Sequence, residues 1–192
     1  MAASQRRLSH PEPSAQASYH LRLEPLPVEV ARLMLVGRLG AERLGAERLG
    51  AEPAKREPSP WHAEYPLPDS IDAIAMLFAS HRAMLGAVKE SPAWWIHQMI
   101  VDGVVVGDIG FHGPPDPALA VEIGYSVVPA WRRRGVASRA CALILQQAWQ
   151  DGADTVVAET DADNVASQTV LLRNGFQRRP DGVFMISRPE AR

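Results

Sequence analysis

Two periodicities of apolar residues run along the chain, and the dominant one changes near residue 94. Residues 19–23 alternate as a half-buried strand does, and Pro25 and Pro27 are expected to stop it by removing backbone donors. A helix is expected from about Val28. Ile71, Ile74, Ala75 and Phe78 recur at helical spacing behind Asp69 and Ser70, either of which can cap a helix, and this one is expected to end between Met84 and Gly86. From Trp94 the period falls to two. Residues 94–100 and 104–111 flank Asp102-Gly103, a strong hairpin signal, and residues 119–128 follow a turn at 113–117 as a third antiparallel strand. Helical spacing returns at residues 134–150, where Val136, Ala140, Leu143, Ile144 and Ala148 share a stripe that Asp151-Gly152 terminates. Residues 155–159 form a short β-branched strand, and the strand-helix-strand order requires parallel pairing through a crossover. A helix at 164–174, closed by Gly175, and a hairpin of residues 176–179 and 183–187 around Pro180-Asp181-Gly182 complete the pattern.

Three stretches lack either period. Residues 1–18 are rich in Ser, Ala, Gln and Pro and too poor in apolar groups to offset the entropy of ordering, so they are expected to be a disordered leader before one domain at 19–188. Residues 38–52 repeat Arg-Leu-Gly-Ala-Glu three times; a five-residue period spirals Leu39, Leu44 and Leu49 around a helix without forming a face. Residues 53–68 hold five prolines and are expected to run extended, so 38–68 reads as a variable surface segment.

Composition narrows the chemistry. A formal net charge of -2 gives no overall attraction to nucleic acid or to an anionic membrane, so any anion site must be local. Cys141 is the single cysteine, which excludes an intramolecular disulfide and a Cys-rich zinc site. Its place on the buried side of a helix suits packing better than nucleophilic chemistry. His62, His81, His97 and His112 lack metal-ligand spacing, and no metal is expected. No segment is apolar enough to span a bilayer, and a cytoplasmic location is expected.

The stretch from Glu122 to Arg139, EIGYSVVPAWRRRGVASR, joins a strand to a helix through a tight turn. Such a turn leaves N–H groups unpaired at the positive end of the helix dipole, where phosphate binds. Gly135 permits close approach, Ala137 keeps the helix start uncluttered, and Arg132, Arg133 and Arg134 place positive charge at the rim. Pro129 removes a ladder donor and is expected to force a splay, in which the main chain of Val127 and Val128 is free to pair with an extended ligand.

The run VPAWRRRGVA, residues 128–137, resembles the acetyl-CoA motif of the GNAT superfamily of N-acetyltransferases, with Arg132, Gly135 and Ala137 at its fixed positions. ETDADNVAS followed by VLLRNGF, residues 159–176, resembles the second signature of RimJ/RimL-like members. The resemblance implies an α/β (α+β) GNAT fold: a central, mixed, mostly antiparallel sheet of six to seven strands, splayed in a V and flanked by helices. It also implies acetyl-CoA as acyl donor and a primary amine, on a peptide or a small molecule, as acceptor, with a homodimer allowed. Cofactor contacts would come from Val127, Val128, Arg132, Arg133, Arg134, Gly135, Val136, Ala137, Ser138 and Asn164. Glu159 resembles the carboxylate that some members use as general base, with Glu122 as runner-up, and Ser167 resembles a serine placed near the CoA sulfur. Some relatives carry a tyrosine on the following helix to protonate the leaving thiolate; Leu171 stands there in this chain. That departure leaves a non-catalytic acyl-CoA sensor as the alternative reading.

Overall fold

The computed structural model of the chain describes residues 18–37, 60–80 and 94–190. The expected leader, the pentapeptide repeat, much of the proline-rich segment and the expected end of the second helix lie outside the described residues. The elements are β1 (Leu21–Pro25), α1 (Val28–Gly37), α2 (Pro68–Ser80), β2 (Ile96–Val101), β3 (Val104–Phe111), β4 (Ala120–Val127), α3 (Val136–Gln150), β5 (Thr155–Ala158), α4 (Val165–Arg173), β6 (Gln177–Arg178) and β7 (Phe184–Ser187). They build a seven-stranded sheet in the order β1-β2-β3-β4-β5-β7-β6. Every pairing is antiparallel except β4 with β5, the two strands joined through α3.

Local chemistry accounts for most boundaries. Asp102 and Gly103 both have positive φ, 48° and 89°, the geometry of the mirror-image turn that matches strand twist in a two-residue hairpin. The first strand departs from expectation: it starts at Leu21 and runs through Pro25, which pairs with His97. β1 is an edge strand, where a residue without an N–H leaves no ladder donor missing. The β2 and β3 side chains are buried almost throughout, as expected for central strands covered on both faces.

Neighbouring residues of β4 identify the two covering layers. Ser126 Oγ meets Ser70 Oγ of α2 at 2.9 Å, whereas Tyr125 Oη meets Ser167 Oγ of α4 at 2.7 Å. Successive strand residues point to opposite faces, so α2 and α4 cover opposite sides of the sheet. α1 contacts α2, and α3 contacts α4. Cys141 faces the core from α3, fully buried, and burial pushes its thiol up to about 12, as suits a packing residue. Among the described residues no helix is long and apolar enough to cross a membrane.

Candidate active site

β4 and β5 pair over only three positions, Ala120↔Thr155, Val121↔Val156 and Glu122↔Val157. β5 then stops at Ala158, while β4 continues to Val127 alongside β3. The sheet therefore opens into a notch at Ile123, six residues before Pro129. Termination of the partner strand makes the gap, which begins earlier than proline-driven splaying predicts.

The ladder between β3 and β4 decides which main-chain groups face that notch. The His112 N–H donates to Glu122 O and the Val128 N–H to Val106 O, both at 2.9 Å. Antiparallel pairing alternates, so residues 122, 124, 126 and 128 direct their main chain at β3, whereas Ile123, Tyr125 and Val127 direct theirs into the notch. The expectation of a free backbone at Val128 is thus corrected: its N–H is held by Val106, and its carbonyl accepts from the Trp131 N–H at 2.9 Å. Val127 retains a notch-facing N–H, and its carbonyl accepts from Arg132 Nε at 2.9 Å.

Past the notch the chain makes one 3-10 turn, Pro129–Trp131, and enters α3 through Arg133 at φ 60° and Gly135 at φ 81°. Gly135 is the N-cap residue, and no side chain caps the helix. The first-turn N–H groups of Val136, Ala137 and Ser138 are therefore presented at the positive end of a 15-residue helix. Arg132, Arg133 and Arg134 are exposed. Arg134 stacks its guanidinium 4.9 Å over the Trp131 ring. Tyr19, expected only as the first residue of a strand, braces this corner: its hydroxyl donates to Arg134 O at 3.1 Å, and its carbonyl accepts from Arg139 Nη1 at 3.1 Å. A recess of about 290 Å³ at this corner is lined by Tyr19, Arg134, Gly135, Ser138, Arg139 and Arg173. Uncapped amides, three arginines and a serine hydroxyl form a donor set that fits a phosphorylated ligand such as the diphosphate of acetyl-CoA.

The notch itself opens into a cleft of about 450 Å³ that reaches both faces of the sheet. On the α4 side stand Tyr125, Ser167, Asn164 and Leu171. Asn164 Oδ1 caps α4 by accepting from the Ser167 N–H at 3.1 Å. Tyr125 Oη lies 2.7 Å from Ser167 Oγ, and burial pushes its phenol up to about 12. Leu171 occupies the position where some relatives carry a tyrosine, and Tyr125 brings a phenol to the same helix from β4. Sequence reading missed it because the strand pattern of residues 119–128 does not say which face meets α4.

Much of the rest of the cleft lining is acidic. Asp69, Asp108, Glu159 and Asp161 line it, and no lysine or arginine is among its described lining residues. Asp108 is 6% exposed; its Oδ1 accepts from Ser126 Oγ at 3.1 Å, whereas Oδ2 has no partner among the described residues. Burial pushes its carboxyl up to about 6, against the opposing pull of the Ser70 and Ser126 hydroxyls. The Tyr65 hydroxyl, buried nearby, adds to that opposing pull. Glu159 follows the last residue of β5 and is exposed at the cleft. Glu122 sits at the point where the strands part, and its Oε1 is 3.1 Å from His112 Nδ1. That hydrogen bond holds the Glu122 carboxyl below its ordinary value. His112 and Asp108 are cleft residues that sequence reading did not single out for chemistry.

Known proteins bear on this geometry. Residues 40–177 match the family model described as an acetyltransferase (GNAT) domain. An uncharacterized N-acetyltransferase of Bacillus subtilis, YoaA, is 33% identical over 75 residues, 38% of this chain; the match spans 42% of that relative's length. Mycobacterium smegmatis RimJ, solved in complex with CoA-disulfide, superposes with a TM-score of 0.54 at 18% identity, covering 87% of this chain and 81% of that one. The Microcin C7 self immunity acetyltransferase MccE, solved with acetyl-CoA and AMP, gives a TM-score of 0.51 at 16% identity, covering 87% and 92%. With more than half of its length matched by the family model, and with the splayed sheet in place, the chain belongs to the GNAT acetyltransferase family.

Proposed function

We propose that the protein transfers the acetyl group of acetyl-CoA to a primary amine by direct attack in a ternary complex. The observation that supports this most is the notch: a donor corner rich in N–H groups opens beside it on one side and an acidic cleft on the other. Acetyl-CoA, when bound, supplies an activated acyl group. The main-chain N–H groups of Gly135, Val136, Ala137 and Ser138, with the side chains of Arg134, Arg139 and Arg173, would hold its phosphates. The Val127 N–H is the main-chain donor available to a carbonyl in the notch. Arg132 and Arg133 add charge at the rim, and Arg132 also ties the turn to Val127.

The Tyr125 phenol, in contact with Ser167 Oγ, holds a proton at the α4 side of the cleft and is suited to protonating a departing thiolate. Glu159 and Asp161, with Asp69 across the cleft, favour a cationic acceptor before it loses a proton. Asn164 acts on this site through the cap that orients Ser167. The CoA ligands of RimJ and MccE support the same donor.

A thiol-release assay with acetyl-CoA across N-terminal peptides, polyamines and aminoglycosides tests the reading. Turnover with at least one cationic amine is expected, together with heat of association between acetyl-CoA and the purified, folded protein. Absence of that heat would sink the proposal.

A further inference from the structure

His112 is the first residue after β3, and a main-chain bond from its N–H to Glu122 O places it beside the first residues of the notch. Nδ1 lies 3.1 Å from Glu122 Oε1, on the residue directly across the ladder. An ionised carboxylate only accepts hydrogen bonds, so Nδ1 carries a proton, and in the neutral ring the lone pair is then on Nε2. Nε2 in turn lies over Gly124: a Cβ built there would stand 2.6 Å from it. His112 and Gly124 both line the cleft. Glu122, Gly124 and Ser126 share one face of β4, the face that meets α2.

Resting on the acetyltransfer reading above, we propose that His112 Nε2 is the base that takes a proton from the incoming ammonium group, with Glu122 as its positioning residue. Glu159 and Glu122 then serve as a cation-attracting group and as an orienting carboxylate. The acceptor's N–H bond breaks with its electron pair returning to nitrogen, and the proton forms an N–H bond at Nε2. The freed pair forms the new C–N bond as the thioester C–S bond breaks with its pair on sulfur. The second nitrogen-bound proton leaves the amide nitrogen for solvent, sulfur takes its proton from the Tyr125 phenol in contact with Ser167, and solvent then reprotonates Tyr125 and receives the proton held by His112. The imidazolium that forms is flanked by Glu122 in contact and by Asp69, Asp108, Glu159 and Asp161 around the cleft, all acidic. Glycine at 124 is explained by the same arrangement, since the ring occupies the space of a side chain.

The test combines kinetics with a readout that needs no acyl donor. Nitrogen-15 NMR of the free protein is expected to show His112 with a proton on Nδ1 and an unprotonated Nε2; a dominant Nε2–H tautomer would overturn the assignment. His112→Gln is expected to lose at least a hundredfold in kcat, retain its heat of association with acetyl-CoA, and abolish the acid-side limb of the kcat/KM profile. In His112→Ala, added imidazole should restore part of the rate. Glu159→Gln is expected to raise KM for the acceptor while keeping that limb. A His112→Gln variant that binds acetyl-CoA and keeps the wild-type rate and limb, or a Glu159→Gln variant that loses the limb, would overturn the base assignment alone. A wild type that releases no thiol with any amine would overturn the acetyltransfer reading with it.

Discussion

The two sides of the notch are built by opposite means. The donor corner is framed by main chain, a turn and the uncapped start of α3 from consecutive residues 129–138, with Arg139 and Arg173 beside it. The acceptor side is side chain: Asp108 and Glu122 from two strands, His112 from just past β3, Asp69 from α2, Glu159 and Asp161 from the segment after β5. A main-chain site needs only that the backbone reach one shape, so it tolerates many side chains and leaves a compact mark in the sequence. A side-chain site depends on strand register and on which face each residue takes, and it leaves no contiguous mark.

Substitutions separate the two sides. Gly135→Val places a β-branched residue at φ 81° at the helix entrance, a strain of roughly 1–3 kcal/mol. The dissociation constant for acetyl-CoA, read by calorimetry, is expected to rise by about tenfold to a hundredfold, with the acceptor KM moving little. Equal loss on both sides would break the distinction.

Asp108→Asn probes the acceptor side without a ligand. Folding lifts this carboxyl from 3.8 to about 6, so its ionised form is disfavoured in the native state. The cost is present in full above about pH 6, shrinks as pH falls, and disappears below the unfolded value near 3.8. Asparagine keeps an oxygen for Ser126 Oγ and removes the charge. The variant is expected to gain on the order of 2–3 kcal/mol over wild type at pH 7.5, and no such gain at pH 3.5. Denaturant titrations at the two pH values measure it; an equal difference at both would place the cause elsewhere.

Tyr125→Phe removes the phenol and leaves the ring packing. A loss of about tenfold or more in kcat is expected, with acetyl-CoA affinity retained. A matching loss in affinity would make Tyr125 part of the donor corner instead. The smallest effect belongs to Tyr19→Phe, which deletes the bond to Arg134 O but keeps the ring under Arg139. Acetyl-CoA affinity is expected to weaken a few-fold, in line with a net hydrogen-bond contribution of about 0.5–1.5 kcal/mol.

This contrast also explains what could be read from the amino acids alone. The Asp-Gly hairpin, the 3.6-residue stripe of α3 and the β-branched run of β5 are local signals, and each element stands within a few residues of its expected place. The strand through Pro25 was misread because edge position, which makes a proline harmless, is a property of the whole sheet. Arg132, Gly135 and Ala137 mark the turn into α3 because their geometry is set by neighbours in the chain. Val128 looked equally available, but the ladder assigns its N–H to Val106, 22 positions earlier in the chain. Tyr125 and His112 become chemically informative only when Ser167 and Glu122 are known to lie beside them.

Strands β1–β4 and strands β5–β7 are sewn together by a seam three residue pairs long. A molecule wedged at the end of so short a seam becomes a strut between two plates, and part of its binding energy goes into stiffening the protein. Saturation at a hundred times the dissociation constant should add roughly 2.7 kcal/mol to resistance against unfolding. The slowing of amide exchange should be greatest along β5, the plate edge nearest the strut.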